Sequence, residues 1–230
     1  MNDAPSLAGY RVITADEAEE CFGVGSDVRY PYQDFAEEQE IRLYEGGLRV
    51  AGKLEREGDD DWSPYNVIVD GDLTAGGDIE WWDSAGGNFL LVTGNARVRS
   101  VVLSGCPDVV VRGDLTASGG IQGSWGDDGG CLTVRGRTRA EFIMSTKHFT
   151  MTFARRPEAL LIGDDFILAD PSDRACPPDF STGDLAAVVL PELLGNGDRP
   201  DERAIGAALS AGRPVLRPGV GPARLAARHE

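Results

Sequence analysis

Histidine is nearly missing from this 230-residue chain, which holds only His148 and His229. A Ser–His–Asp or Cys–His catalytic arrangement would have to rest on His148, and no nucleophile-elbow sequence accompanies it. Cysteine is sparse as well. Cys21, Cys106, Cys131 and Cys176 form neither a CxxC pair nor the dense framework of a secreted scaffold, which points to a reducing cytoplasm. No stretch approaches the roughly 18 consecutive apolar residues of a membrane span. The N-terminus lacks the basic region and apolar run of a secretion signal. The glycine-rich "GDLTAGGD" lacks the lysine and hydroxyl residue of a phosphate loop. Positive charge is also short, with 22 Lys and Arg against 38 Asp and Glu, for a formal charge of −16. Residues 1–115 hold 23 acids and 9 bases, a net of −14. Such a surface repels nucleic acid and anionic lipid and favours a basic partner, although acidity also serves solubility alone.

What the chain has in abundance is repetition. "NVIVDGDLTA" at Asn66–Ala75 returns as "DVVVRGDLTA" at Asp108–Ala117. The pattern apolar-x-apolar-x-Gly ends at Gly52, Gly71, Gly94, Gly113 and Gly136, at spacings of 19, 23, 19 and 23. A further step of 19 reaches Arg155, with Phe153 in the column of Val50, Val69, Val92, Val111 and Val134. Recurrence at fixed spacing marks stacked units that bury their apolar edges against one another. Within one unit the alternation has period two, in short runs separated by Gly and Asp. The fold expected is mainly β: a right-handed parallel β-helix (β-solenoid) of about six coils over residues 48–155. Glycine is expected at the coil corners because the chain turns there at angles that a side chain resists.

Both ends depart from the repeat. Residues 1–47 carry "TADEAEECF", with Thr14 and Asp16 placed to cap a short helix, and form an expected N-terminal cap. Residues 156–217 form an expected C-terminal capping region with two short helices, starting near Asp184 and Asp201 and ending at Gly195 and Gly212. Residues 218–230 read as a tail. Caps are expected because open solenoid ends expose unpaired strand edges.

All four tryptophans fall ten to twelve residues after a coil glycine, at Trp62, Trp81, Trp82 and Trp125, and His148 joins the same column. The two longest coils place their extra residues there, as "WWDSAGGN" and "SWGDDGGC". Asp83, Asp127 and Asp128 accompany them, as do Asp59–Asp61 before Trp62. Aromatic residues ringed by acids suit a protein-binding edge. The alternative is that each tryptophan folds over the flank of its own coil. The paired aspartates could hold Ca²⁺ or serve a glycosidase, but solvated turns explain them more simply. No catalytic residue, metal ligand or cofactor is assigned. Cys131 shares the column of Phe89 and reads as a small buried residue.

The coils V-x-V-x-G-D-L-x-A at Val67–Ala75 and Val109–Ala117, together with the tail Leu190–Arg217, resemble a group of bacterial single-domain β-solenoid proteins associated with immunity to polymorphic toxins. Taken alone, the coils are equally similar to bactofilins. Relatives in the first group often carry Tyr-Asn-His-Gly where this chain has Ser124, Trp125, Gly126 and Asp127, so no histidine role carries over. The resemblance implies a non-enzymatic immunity protein that binds and neutralises a toxin; the acidity points to a basic partner, the tryptophan column to Trp62, Trp81, Trp82, Asp83, Trp125, Asp127, Asp128 and His148 as the partner-binding residues, and the expected caps to a monomer or small oligomer. A bactofilin-like scaffold and, third, a carbohydrate-active or metal-dependent enzyme are the alternatives.

Overall fold

The computed structural model describes residues 9–55, 65–125, 130–163, 167–169, 174–196 and 199–221; for 83–86, 169, 174 and 175 it describes the backbone alone. The chain is a β-solenoid of about five turns rather than six. Each turn has three sides, and its strands pair in parallel with the turns above and below.

The first side runs Glu40–Glu45, Tyr65–Asp70, the end of Ile79–Val92, the end of Val101–Val111, Cys131–Val134, Thr150–Phe153 and Ile167–Ala169. Its inward column reads Tyr44, Val69, Val92, Val111, Val134, Phe153, and the expected register holds from Val69 onward. It fails at the start. Val50 pairs with Ala75 on the second side, so the glycine aligned with Gly71 is Gly46 and not Gly52. The error has a local cause, since "LRVAG" matches the pattern while the true first copy carries Tyr44 in the valine column. The solenoid therefore begins at Glu40 and extends past Phe153 to Ala169.

Glycine at the coil corner answers two different needs. Gly71 adopts a φ of 124°, which a side chain resists. Gly113 has no such angle; there a Cβ would lie 2.6 Å from the carbonyl oxygen of Gly94 on the preceding turn, so close approach excludes it. The following residue locks the turns together. Asp72 Oδ1 accepts the Asn95 N–H at 2.8 Å, Asn95 Oδ1 accepts that of Asp114 at 2.9 Å, and Asp114 Oδ1 accepts that of Arg137 at 2.8 Å. This ladder satisfies backbone donors where strand pairing is interrupted.

The interior holds Leu73, Ile79, Trp81, Leu90, Val92, Leu103, Leu115, Ile121, Leu132 and Phe153, all essentially inaccessible. Two outward faces are apolar too, and the chain ends cover them. Helix α1 (Ala15–Phe22) starts at Thr14, whose Oγ1 accepts the Glu17 N–H at 3.1 Å, and stops at Gly23 with φ 57°. It and the segment after it pack Ala18, Val24, Val28 and Tyr32 onto Leu43, Ile68, Phe89, Leu91 and Val110 on the first side. Helix α2 (Glu202–Ser210) starts at Asp201, whose Oδ1 accepts the Ala204 N–H at 3.0 Å. The third side runs through residues 79–82, 101–104, 120–124, 142–145 and 160–163. With its neighbours α2 packs Leu185, Val189, Ile205, Leu209 and Leu216 onto Phe142, Met144, Leu160 and Ile162 of that side. The helix expected from Asp184 is replaced by two 3₁₀ turns, Thr182–Ala187 and Pro191–Leu193, because Pro191 lacks the N–H needed to continue.

The ends of the chain thus clad flanks more than they cap the rod. Among the described residues the end turns are capped by short antiparallel strands, Arg11–Ile13 along Ile41–Leu43 and Arg174–Ala175 along Leu168–Ala169, and by Phe180, which bridges Ile162 in parallel.

Buried charge fixes both flank elements. The carboxylate of Asp27 is almost fully buried and meets Arg112 Nε at 2.6 Å and also Arg135. Asp108, buried as well, accepts the N–H groups of Arg29 and Tyr30 and the thiol of Cys131 at 3.0 Å. Burial raises the Asp108 carboxyl above its ordinary range despite those donors. Burial, together with the Asp108 charge, pushes the Cys131 thiol up. On the other flank, Arg99 grips the inaccessible Asp78 through Nε at 3.0 Å and Nη2 at 2.5 Å, and donates to the Ser210 carbonyl at 2.6 Å.

Candidate functional site

Strand alternation decides the fate of the adjacent tryptophans. Along Ile79–Val92, Ile79 and Trp81 point inward while Glu80 and Trp82 point outward. Trp81 is 1% exposed, donates Nε1–H to Asn88 Oδ1 at 2.7 Å, and meets Tyr65 edge-on with ring centroids 6.4 Å apart. It is a core residue and takes no part in a surface, which corrects its placement among the partner-binding residues. Trp82 and Trp125 are 43% and 50% exposed, the two exposed tryptophans among the described residues.

Both stand at the corner between the third and first sides. Trp82 pairs with Ser104 on the next turn, Ser104 pairs with Ser124 on the one after, and Trp125 follows Ser124. Here the longer coil bulges: Asp83 and Asn88 pair with Gly105 and Pro107, so five steps of one strand match two of its neighbour. Beyond Trp125, Lys147 carries its ammonium 3.1 Å from the centroid of the indole and 3.2 Å from Glu202 Oε2 on α2. His148 is exposed beside it.

The backbone at this corner is strained. Trp125, Lys147 and His148 have φ of 60°, 49° and 62°, and among the described residues they are the non-glycine positions in the left-handed region. Such angles cost about 1–3 kcal/mol each and persist where surrounding structure holds them, most often at ligand-binding and switch positions. Their confinement to one corner, around two exposed indoles, separates it from the rest of the rod. The bonds that hold the strain are visible: Ser145 Oγ donates to the Phe149 carbonyl at 2.5 Å, and the Phe149 ring fills the space left by Gly123.

Of the residues expected here, the structure brings together Trp82, Trp125 and His148 and removes Trp81 to the core. Trp62, Asp127 and Asp128 lie outside the described residues, and Asp83 is placed by its backbone alone. Lys147 and Glu202 were missed. Lys147 stands next to His148 in sequence and gave a cue, but Glu202 is 55 residues further on and gave none.

An open cavity of about 1030 Å³ lies elsewhere, where the N-terminal segment meets the first turn; it is lined by Asp16, Glu37, Glu38 and Glu40 beside Val12 and Gln33. Among the described residues no group of three or more His, Cys, Asp or Glu is arranged to hold a metal ion, and no helix is long and apolar enough to cross a membrane.

The fold and the corner define the class: a β-solenoid with clad flanks and a strained aromatic edge. No family model, curated protein or solved structure matches the chain.

Proposed function

We propose that this chain is a non-enzymatic binding protein that engages a basic protein toxin along the Trp82–Trp125 corner and neutralises it. The observation that carries the binding part is the concentration of left-handed backbone at Trp125, Lys147 and His148 around two half-exposed indoles. Tryptophan contributes more than its share of interface energy, and a side chain already held in place loses little entropy on binding. The acidity of the chain and its N-terminal cavity suits a cationic partner. The toxin assignment rests on the resemblance of coil and tail to immunity proteins. The protein acts in the cytoplasm as a monomer or small oligomer. Antiparallel strands at both ends of the first side and apolar flanks covered by chain ends support this over a self-stacking scaffold.

The test is a titration of the chain with the toxin domain encoded beside its gene. Binding is expected, and Trp82→Ala and Trp125→Ala weaken it by about 2 kcal/mol or more, mostly through faster dissociation. Absence of a complex, or tryptophan variants that bind as the parent does, overturns the reading.

A further inference from the structure

The first and third sides of the solenoid are clad by the chain ends, and neither apolar cluster beneath that cladding includes a residue of the second side. The second side stays bare. It runs through residues 48–50, 73–75, 96–98, 115–117 and 138–140, where each turn buries two residues and presents the one between them outward. Strand pairing stacks these outward residues in one file: Arg49, Thr74, Arg97, Thr116 and Arg139. The arginines are exposed, and with neighbouring turns about 4.8 Å apart they recur about every 10 Å, a partly exposed threonine between each pair.

The donors of this file are unengaged. Arg49, Thr74, Arg97 and Thr116 make no side-chain hydrogen bond or ion pair among the described residues. Arg139 meets Glu158 of the next turn at 2.7 Å, but both side chains are more than half exposed, so the pair is weak and yields to a ligand. Two residues earlier on each turn stands a file of opposite character, Asp72, Asn95 and Asp114, all exposed. Oδ1 of Asp72 and of Asp114 accepts a backbone N–H of the next turn, which leaves Oδ2 of each as a free acceptor among the described residues. Cationic and hydroxyl donors thus run beside carboxylate acceptors, one turn at a time.

Independently of the toxin reading, we infer that the second side binds an extended acidic glycan laid along the rod, in which every second sugar carries a carboxylate. A sugar in an extended glycan advances by about one strand spacing, so one unit meets one turn. Uronates then face Arg49, Arg97 and Arg139, the sugars between them face Thr74 and Thr116, and ring hydroxyls donate to Asp72 and Asp114. Guanidinium takes a carboxylate through two parallel hydrogen bonds, which suits arginine to the alternate turns. Other polyanions fit less well. A stacked DNA strand sets a phosphate about every 3.4 Å, out of step with the arginines, and brings no hydroxyls to the carboxylates. An acidic protein segment finds no apolar anchor, since the exposed large hydrophobic residues, Tyr10, Val12, Trp82 and Trp125, all lie away from this side.

The experiment titrates the full chain with hexasaccharides at about 0.15 M salt, where exposed charges more than about 8 Å apart are largely screened. The probes are a hyaluronan hexasaccharide, in which uronate alternates with N-acetylhexosamine, the neutral cellohexaose, and a β-linked hexauronate. Arginine Nε–H and backbone amide resonances are the readout. The hyaluronan fragment is expected to shift Arg49, Arg97 and Arg139 saturably and to bind about tenfold more tightly than cellohexaose and severalfold more tightly than the hexauronate. Arg97→Gln should weaken it about tenfold, while Arg213→Gln, at an exposed arginine off this side, leaves it unchanged. Asp114→Asn separates the two files, because it keeps an oxygen for the turn-to-turn bond and removes only the charge. A severalfold loss is expected; tighter binding by this variant shows that the carboxylate merely repels and overturns the proposal. So do absent shifts, equal binding of cellohexaose, an unaffected Arg97→Gln variant with the melting temperature of the parent, or hexaglutamate or oligodeoxythymidylate binding as tightly as the hyaluronan fragment.

Discussion

Trp81 and Trp82 are neighbours in sequence, and truncating each to alanine should give opposite results. Trp81 is 1% exposed in the solenoid interior, and Trp→Ala at such a site costs about 3–5 kcal/mol through lost transfer energy and the cavity left behind. Its Nε1–H also satisfies Asn88 Oδ1, which the variant leaves buried without that donor, adding about 1 kcal/mol or more. Among the described residues the amide nitrogen of Asn88 already lacks a partner, so the side chain has little means of compensation. A loss of about 4 kcal/mol corresponds to a fall in melting temperature of roughly 8–16 °C for a chain of this size. Trp82, 43% exposed, leaves no cavity, and its removal should change stability by no more than about 0.5 kcal/mol while weakening the partner complex. Urea unfolding followed by far-UV circular dichroism, with thermal melts alongside, measures both. A Trp81→Ala variant within about 1 kcal/mol of the parent, or a Trp82→Ala variant that loses more than about 2 kcal/mol, would refute the inward and outward assignment and with it the register of the third side.

Val111→Asp places an unpaired charge between stacked turns at a position 1% exposed, and should cost several kcal/mol or abolish folding, as read by denaturant midpoint. Asp108 has a carboxyl pKa raised by burial, so the folded state holds its proton to higher pH than the unfolded chain does. Its contribution to stability is greatest in acid and declines as pH rises from the unfolded value through the folded one, and the parent's stability measured against Asp108→Asn should fall over that window; a difference that grows with pH contradicts this. Thiol labelling should reach the exposed Cys21 at once and Cys131 only on unfolding, since Cys131 is buried with its thiol pushed up; equal labelling rates in the native protein would contradict the packing of residues 29–30 over it.

The solenoid was legible because its cause is local and repeated. A glycine column with alternating apolar residues specifies stacked turns wherever the spacing holds, and from Val69 to Phe153 each strand lies in its expected register. The covered flanks were written in the sequence as well. Unbroken apolar runs such as Phe89–Val92 and Val109–Val111 have both faces buried, whereas Cys131–Val134 and Thr150–Phe153 place Thr133 and Thr152 outward, where the cladding ends. Tertiary structure alone decided which segment lies on which flank. Asp27 meeting Arg112 and Arg135, or Arg99 reaching the Ser210 carbonyl, depends on residues 85 to 111 apart whose spacing carries no period. The same holds at the candidate site. Sequence spacing set Trp81, Trp82 and Trp125 in one column, but a shift of one residue along a strand moves a ring from solvent to core, and pairing across turns is what sends Trp81 inward and leaves Trp82 outside.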